Sequence, residues 1–214
     1  MQSPAWILWN LSLSAIPVGL AYLWTACVRR WSLKKRGVHW VAFTPLIGLW
    51  IAFLPNTCYL LTEWRHFLFD NYFVGVREAA ESNHLHMLRV ARQGLFFLCY
   101  SGFGVLCLVY AIRPVEQLLG KLRVHKAAWM TPLFLLTSLG VYLGLIVRLN
   151  SWDLIRRPLH VWRVTLHAVT TPILAETVLV FALLLWVCYE VGNIWADGVA
   201  IRLRKARSGE HRRK

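Results

Sequence analysis

Charge is scarce in this chain, and negative charge is scarcest: only 16% of the 214 residues are charged, with 10 Asp and Glu against 24 Lys and Arg. A water-soluble domain carries about a quarter charged residues, so an ordinary soluble fold is excluded. Disulfide chemistry is missing as well. The five cysteines (Cys27, Cys58, Cys99, Cys107 and Cys188) lie within apolar runs and form no Cys-x-x-Cys pair, which makes them small core hydrophobes rather than a disulfide framework. The sequence contains no His-Glu-x-x-His, no Gly-x-Ser-x-Gly, no phosphate-binding glycine loop and no Cys/His zinc spacing; the enzyme and zinc-module classes marked by those motifs lose their support. No internal repeat or low-complexity linker divides the chain. A basic region ahead of the first apolar run is also lacking, since residues 1–5 carry no charged side chain. That run is therefore an anchor and not a cleavable signal peptide.

What is present is apolar: 57% of the residues are hydrophobic. A bilayer core about 30 Å thick takes roughly 20 apolar residues per helix. Five runs satisfy this, at about 5–28, 38–61, 95–112, 129–147 and 172–191. They predict an all-α, polytopic membrane bundle of five transmembrane helices forming one domain over residues 1–201. Residues 202–214 read as a disordered basic tail. Pro17 and Pro45 fall inside spans and can kink them. The connections Arg113–Ala127 and Ser151–Ala168 mix apolar with basic residues and read as short amphipathic segments along the interface.

Distribution of the basic residues orients the bundle. An outside N-terminus puts 16 Lys and Arg on the cytoplasmic side and 8 on the other, as the positive-inside rule requires. The C-terminal tail is then cytoplasmic and able to hold anionic lipid, and the expected location is a prokaryotic plasma (inner) membrane. This rule explains the net charge of +14 without a nucleic-acid partner. Trp6, Trp9, Trp64, Trp152 and Trp162 fall near the outer boundary, and Trp31, Trp40, Trp129 and Trp195 near the inner one, the aromatic belts of a spanning protein.

Polar residues at membrane depth are costly and mark function or pairing. Two stretches carry them, both at outer helix ends under this topology. In the first, Pro55 permits a break at the end of helix 2, and Asn56, Tyr59, Glu63 and His66 follow at steps of three, four and three residues. That spacing stacks them on one helical face. Glu63 and His66 form a Glu-x-x-His pair, able to ligate a metal or to move a proton; they are the only metal candidates, and no cofactor is named. The bland alternative is a solvated helix end. The second stretch is Arg148-Leu-Asn-Ser-Trp-Asp153, leaving helix 4. Arg148 suits a carboxylate or phosphate, with Glu63, Asp153 or a lipid phosphate as partner; the alternative is a snorkelling anchor. Gly140 and Gly144 form a Gly-x-x-x-Gly step, read as close helix packing. Glu176 sits near the start of helix 5, where the helix dipole favours it. His84, His86, His160 and His167 read as solvated.

At these two stretches the chain resembles a bacterial and archaeal integral-membrane family, domain of unknown function 1361. The family pattern Phe-Leu-Pro-Asn-x-x-Tyr, then Thr, an acid and a His, is met by Phe53-Leu54-Pro55-Asn56-Thr57-Cys58-Tyr59, Thr62, Glu63 and His66. Its Gly-x-Tyr-Leu-Gly helix running into Arg-x-Asn-Ser-Trp-Asp is met by Gly140-Val141-Tyr142-Leu143-Gly144, then Arg148, Asn150, Ser151, Trp152 and Asp153. Glu63 stands where the family has aspartate, and Leu145 and Leu149 replace an arginine and an aromatic residue. No Trp-Tyr-Asp segment precedes helix 3, so the chain is a divergent member. The resemblance implies a polytopic membrane fold and marks the same polar residues; it brings no activity with it.

Three functions remain open at this level. In the first, an enzyme acts at the outer leaflet on a lipid or lipid-linked substrate: Glu63, His66 and Asp153 are catalytic, and Asn56, Tyr59, Arg148, Asn150, Ser151 and Trp152 bind substrate. In the second, a non-catalytic assembly or partner-binding subunit uses the two motifs as an interhelical clamp. A small transporter is the third, and the near absence of ionisable groups in the inner halves of the spans argues against it. Membrane lipids, a lipid-linked substrate or a membrane protein are the expected partners.

Overall fold

A computed structural model describes residues 3–32, 40–64, 84–121, 123–149 and 153–211, and among these every regular element is a helix. The helices are α1 (Pro4–Ser32), α2 (Trp40–Phe53), α3 (Pro55–Thr62), α4 (His84–Lys121), α5 (Lys126–Leu145), α6 (Asp153–Arg156), α7 (Pro158–Thr170) and α8 (Pro172–His211). Among the described residues five segments are long and apolar enough to cross a membrane: α1, α2 with α3, α4, α5 and α8. The protein is a multi-pass membrane bundle.

Local chemistry sets the ends. The Ser3 hydroxyl accepts from the Trp6 backbone N–H at 3.4 Å, and Pro4 fills the first helical position, an N-cap followed by a residue with no N–H to lose. The second span is interrupted at Leu54, ahead of Pro55. The Thr57 N–H and the Thr57 hydroxyl both donate to the Leu54 carbonyl, at 3.1 and 2.8 Å, so the break is closed within the chain. Such internal satisfaction is what a bilayer demands.

Two helices overrun the expected spans. The third was expected over 95–112, yet α4 has 38 residues, roughly 57 Å at 1.5 Å per residue, against a core of about 30 Å. The connection expected over Arg113–Ala127 shrinks accordingly: residues through Lys121 continue α4, with Val115 and Leu118 buried. The fifth was expected to stop near Val191 ahead of a disordered tail, but α8 runs on to His211. Apolar windows locate hydrocarbon, not helix ends. A nucleated helix propagates readily through Arg, Leu, Lys and Ala once it leaves the bilayer. Residues 212–214 of the tail lie outside the described residues.

α4 is central, packing against α1, α3 and α8, while α5 pairs with α8 and touches α3. Leu54, Leu108, Ile112, Met130, Phe134, Leu185 and Tyr189 form the fully buried interior. Side-chain hydrogen bonds to backbone carbonyls stitch neighbours together: Trp50 Nε1 to Ala111 O at 3.1 Å, Ser101 Oγ to Leu60 O at 3.1 Å, and Ser138 Oγ to Val178 O at 2.8 Å. Each contributes on the order of 0.6–2 kcal/mol in a membrane bundle. All five cysteines are free thiols.

A candidate polar cleft at one end of the bundle

The break at Pro55 tips α3 against α5. Pro55 packs on Gly140, where a Cβ would lie 2.5 Å from the proline Cγ. One turn on, Tyr59 fills the space over Gly144 and donates its hydroxyl to the Gly140 carbonyl at 3.3 Å. The Gly-x-x-x-Gly step is therefore a packing surface, as its spacing implied, and its partner is the Pro-Asn-x-x-Tyr segment.

Above this contact lies an open cleft of about 220 Å³. Tyr59 and Glu63 form one wall, and Gly144, Leu145 and Arg148 the opposite one. Trp6 and Asn10 of α1 and Tyr100 of α4 close it. The two polar stretches, separated by some 80 residues of chain, thus meet at one end of the bundle together with the start of α1.

The cleft brings an acidic and a basic side chain together. Glu63 is only 6% exposed. Arg148 is exposed, and it forms no ion pair among the described residues. Its backbone is left-handed at φ 61°, where α5 ends with the Val147 N–H reaching the Tyr142 carbonyl and the Leu149 N–H reaching the Leu143 carbonyl. A non-glycine residue there costs on the order of 1–2 kcal/mol. The Tyr100 ring stacks on Trp6 and on Phe96, with centroids 6.4 and 5.6 Å away. Its hydroxyl is buried close to Asn10 without a well-formed hydrogen bond among the described residues.

A family model described as "Protein of unknown function (DUF1361)" matches residues 9–188. The chain belongs to this family. No curated protein and no solved structure matches it. The DUF1361 match takes in both motif walls of the cleft and leaves out the long extension of α8.

Among the residues expected at the site, the structure brings together Tyr59, Glu63 and Arg148. Asn56 is half-buried one turn deeper in α3 and does not line the cleft. Asp153 begins α6 and does not line it either. His66, Asn150, Ser151 and Trp152 lie outside the described residues. Among the described residues no three His, Cys, Asp or Glu side chains converge on a metal position, and the Glu63–His66 pair is not described as a pair. Asn10 and Tyr100 were missed. Asn10 had a signal, being the one amide side chain inside the first span. Tyr100 had none, because one tyrosine in an aromatic-rich helix looks like any other.

The opposite end of the bundle holds a second polar group. Lys126 Nζ lies 2.8 Å from Glu116 Oε1 and 2.8 Å from Glu190 Oε1. Trp186 Nε1 donates to Glu190 at 3.1 Å, Tyr189 donates to Glu116, and Arg113 pairs with Asp197. These groups tie α4, α5 and α8. Only Glu190 falls inside an expected span, 172–191; Arg113, Glu116, Lys126 and Asp197 lie beyond the expected spans, and only the packing of three helices brings the group together.

Proposed function

We propose that the cleft faces the extracytoplasmic side of a prokaryotic plasma membrane and that the protein is a membrane-embedded enzyme acting there on a lipid or lipid-linked substrate. One observation carries this reading: a buried carboxylate, Glu63, and an exposed guanidinium, Arg148, line one open cleft at one end of the bundle. Arg148 offers a planar fork for a phosphate or carboxylate headgroup. Glu63 supplies acid–base capacity at the cleft wall, with His66 as its proton or metal partner. Asn10 and Tyr59 orient the headgroup, and Asn150, Ser151, Trp152 and Asp153 extend the site beyond Arg148. The excess of basic residues on the opposite side supports the orientation.

The test incubates the purified protein in nanodiscs with a total membrane lipid extract and follows lipid composition by mass spectrometry. Wild type converts at least one lipid; Glu63→Gln and Arg148→Gln do not, though both remain folded. An unchanged lipid profile with wild type, or equal conversion by both variants, sinks the reading.

A second reading is favoured by the contacts of Pro55 with Gly140 and Tyr59 with Gly144. In it the two motifs form an interhelical clamp in a non-catalytic assembly or partner-binding subunit. Glu63→Gln then lowers the melting temperature while no lipid changes in any sample.

A further inference from the structure

Between the last two spans lies a helix that crosses nothing. α7 has 13 residues, roughly 20 Å, short of a bilayer core. Both its tethers are at the cleft end. α5 and α8 are antiparallel, with Ser138 against Val178 and Lys126 against Glu190, so the end of α5 and the start of α8 lie together. Thr171 is extended (φ −89°, ψ 115°) ahead of Pro172, the conformation a following proline enforces, and it breaks α7 from α8.

At 100° per residue α7 presents three faces. Val161 and Ala168 are buried, with Val164 and Thr165 beside them half-buried, and this face packs on the bundle. Leu159, Trp162, Leu166 and Val169 form the next arc and are exposed, Leu159 by 72% and Trp162 by 65%. His160, Arg163 and His167 form the third arc, all exposed, and the exposed Arg156 and Arg157 lead into it. No acidic residue lies on α7.

We propose that α7 lies in the membrane plane and docks on anionic phospholipid, its Leu159–Val169 arc in the acyl boundary and Arg156, Arg157 and Arg163 on the headgroup phosphates. An apolar arc flanked by a purely basic one fits that surface and no other common one. A soluble acidic partner leaves the leucines and Trp162 in water, and a protein groove leaves the arginines unpaired. The inference does not rest on the chemistry of the cleft and stands if the protein has no activity.

The experiment reconstitutes the full chain in nanodiscs of phosphatidylcholine with phosphatidylglycerol and measures phosphatidylglycerol retention by native mass spectrometry, with hydrogen exchange over residues 158–170. Each basic residue near an anionic surface contributes about fivefold in affinity. The triple variant Arg156→Gln, Arg157→Gln, Arg163→Gln is expected to lose on the order of hundredfold in phosphatidylglycerol preference. The corresponding Arg→Lys triple variant keeps the preference and controls for folding. Unchanged preference in the Gln variant, loss of preference in the Lys variant, or α7 amides protected only in a dimer regardless of lipid would each overturn the proposal.

Discussion

Tyr59 occupies the space that a side chain on Gly144 would need: a Cβ there would lie 1.7 Å from the tyrosine hydroxyl oxygen, the same oxygen that donates to the Gly140 carbonyl. One side chain thus joins the two sequence motifs and forms part of a cleft wall. Helix packing and cleft wall are the same feature seen from two sides, so a substitution here tests both.

Gly144→Ala should destabilise by about 1–3 kcal/mol, the usual cost of overpacking, read as a lower melting temperature in detergent. Tyr59→Phe alone should cost less than about 1 kcal/mol, because it removes one membrane hydrogen bond. The double variant should recover part of the loss, since the closest atom is gone while the ring carbon at 2.6 Å remains. Strict additivity of the two single effects would mean that the contact does not exist.

The spacing Gly140-x-x-x-Gly144 announced a close helix contact, and Pro55 announced a break; the structure supplied what neither could, that each is the other's partner. Tyr59, Glu63 and Arg148 were legible because polar residues in apolar runs stand out and their steps put them on known faces. Asn56 shares the face with Tyr59 but sits too deep to reach the cleft. Tyr100, and the joining of Glu116, Lys126 and Glu190, depended on which helices pack together, which composition does not encode. Helix lengths were underestimated because hydrophobicity ends where the membrane ends, while hydrogen bonding in α4 and α8 does not.

Arg148→Gly separates strain from function. Glycine accepts φ 61° at no steric cost, while the unfolded chain gains about 0.5–1 kcal/mol of freedom. Stability should stay within about 1 kcal/mol of wild type, or rise, while lipid conversion is lost. A large fall in melting temperature would show that the guanidinium is structural.

Lys126→Met leaves Glu116 and Glu190 facing each other without their shared cation. The Lys126 side chain is 41% exposed, so water screens much of the penalty, and a loss of roughly 1–2 kcal/mol is expected. Adding Glu116→Gln should return part of it. Thermal unfolding of the two variants checks both statements.

Orientation can be read with a membrane-impermeant maleimide in a background lacking the five native cysteines. Trp9→Cys and Arg156→Cys should label in intact cells, and Ser208→Cys only after permeabilisation. The reverse pattern would place the cleft on the cytoplasmic side and remove the extracytoplasmic reading.

In the proposed function the cleft between Glu63 and Arg148 is a headgroup site rather than a seam between helices. Cryo-electron microscopy of the protein in native-lipid nanodiscs tests it most directly. Ordered headgroup density is expected within hydrogen-bonding distance of the Arg148 guanidinium, with a polar group facing Glu63. A cleft closed by the protein's own side chains, with lipid density only along the outer faces of the helices, would contradict it.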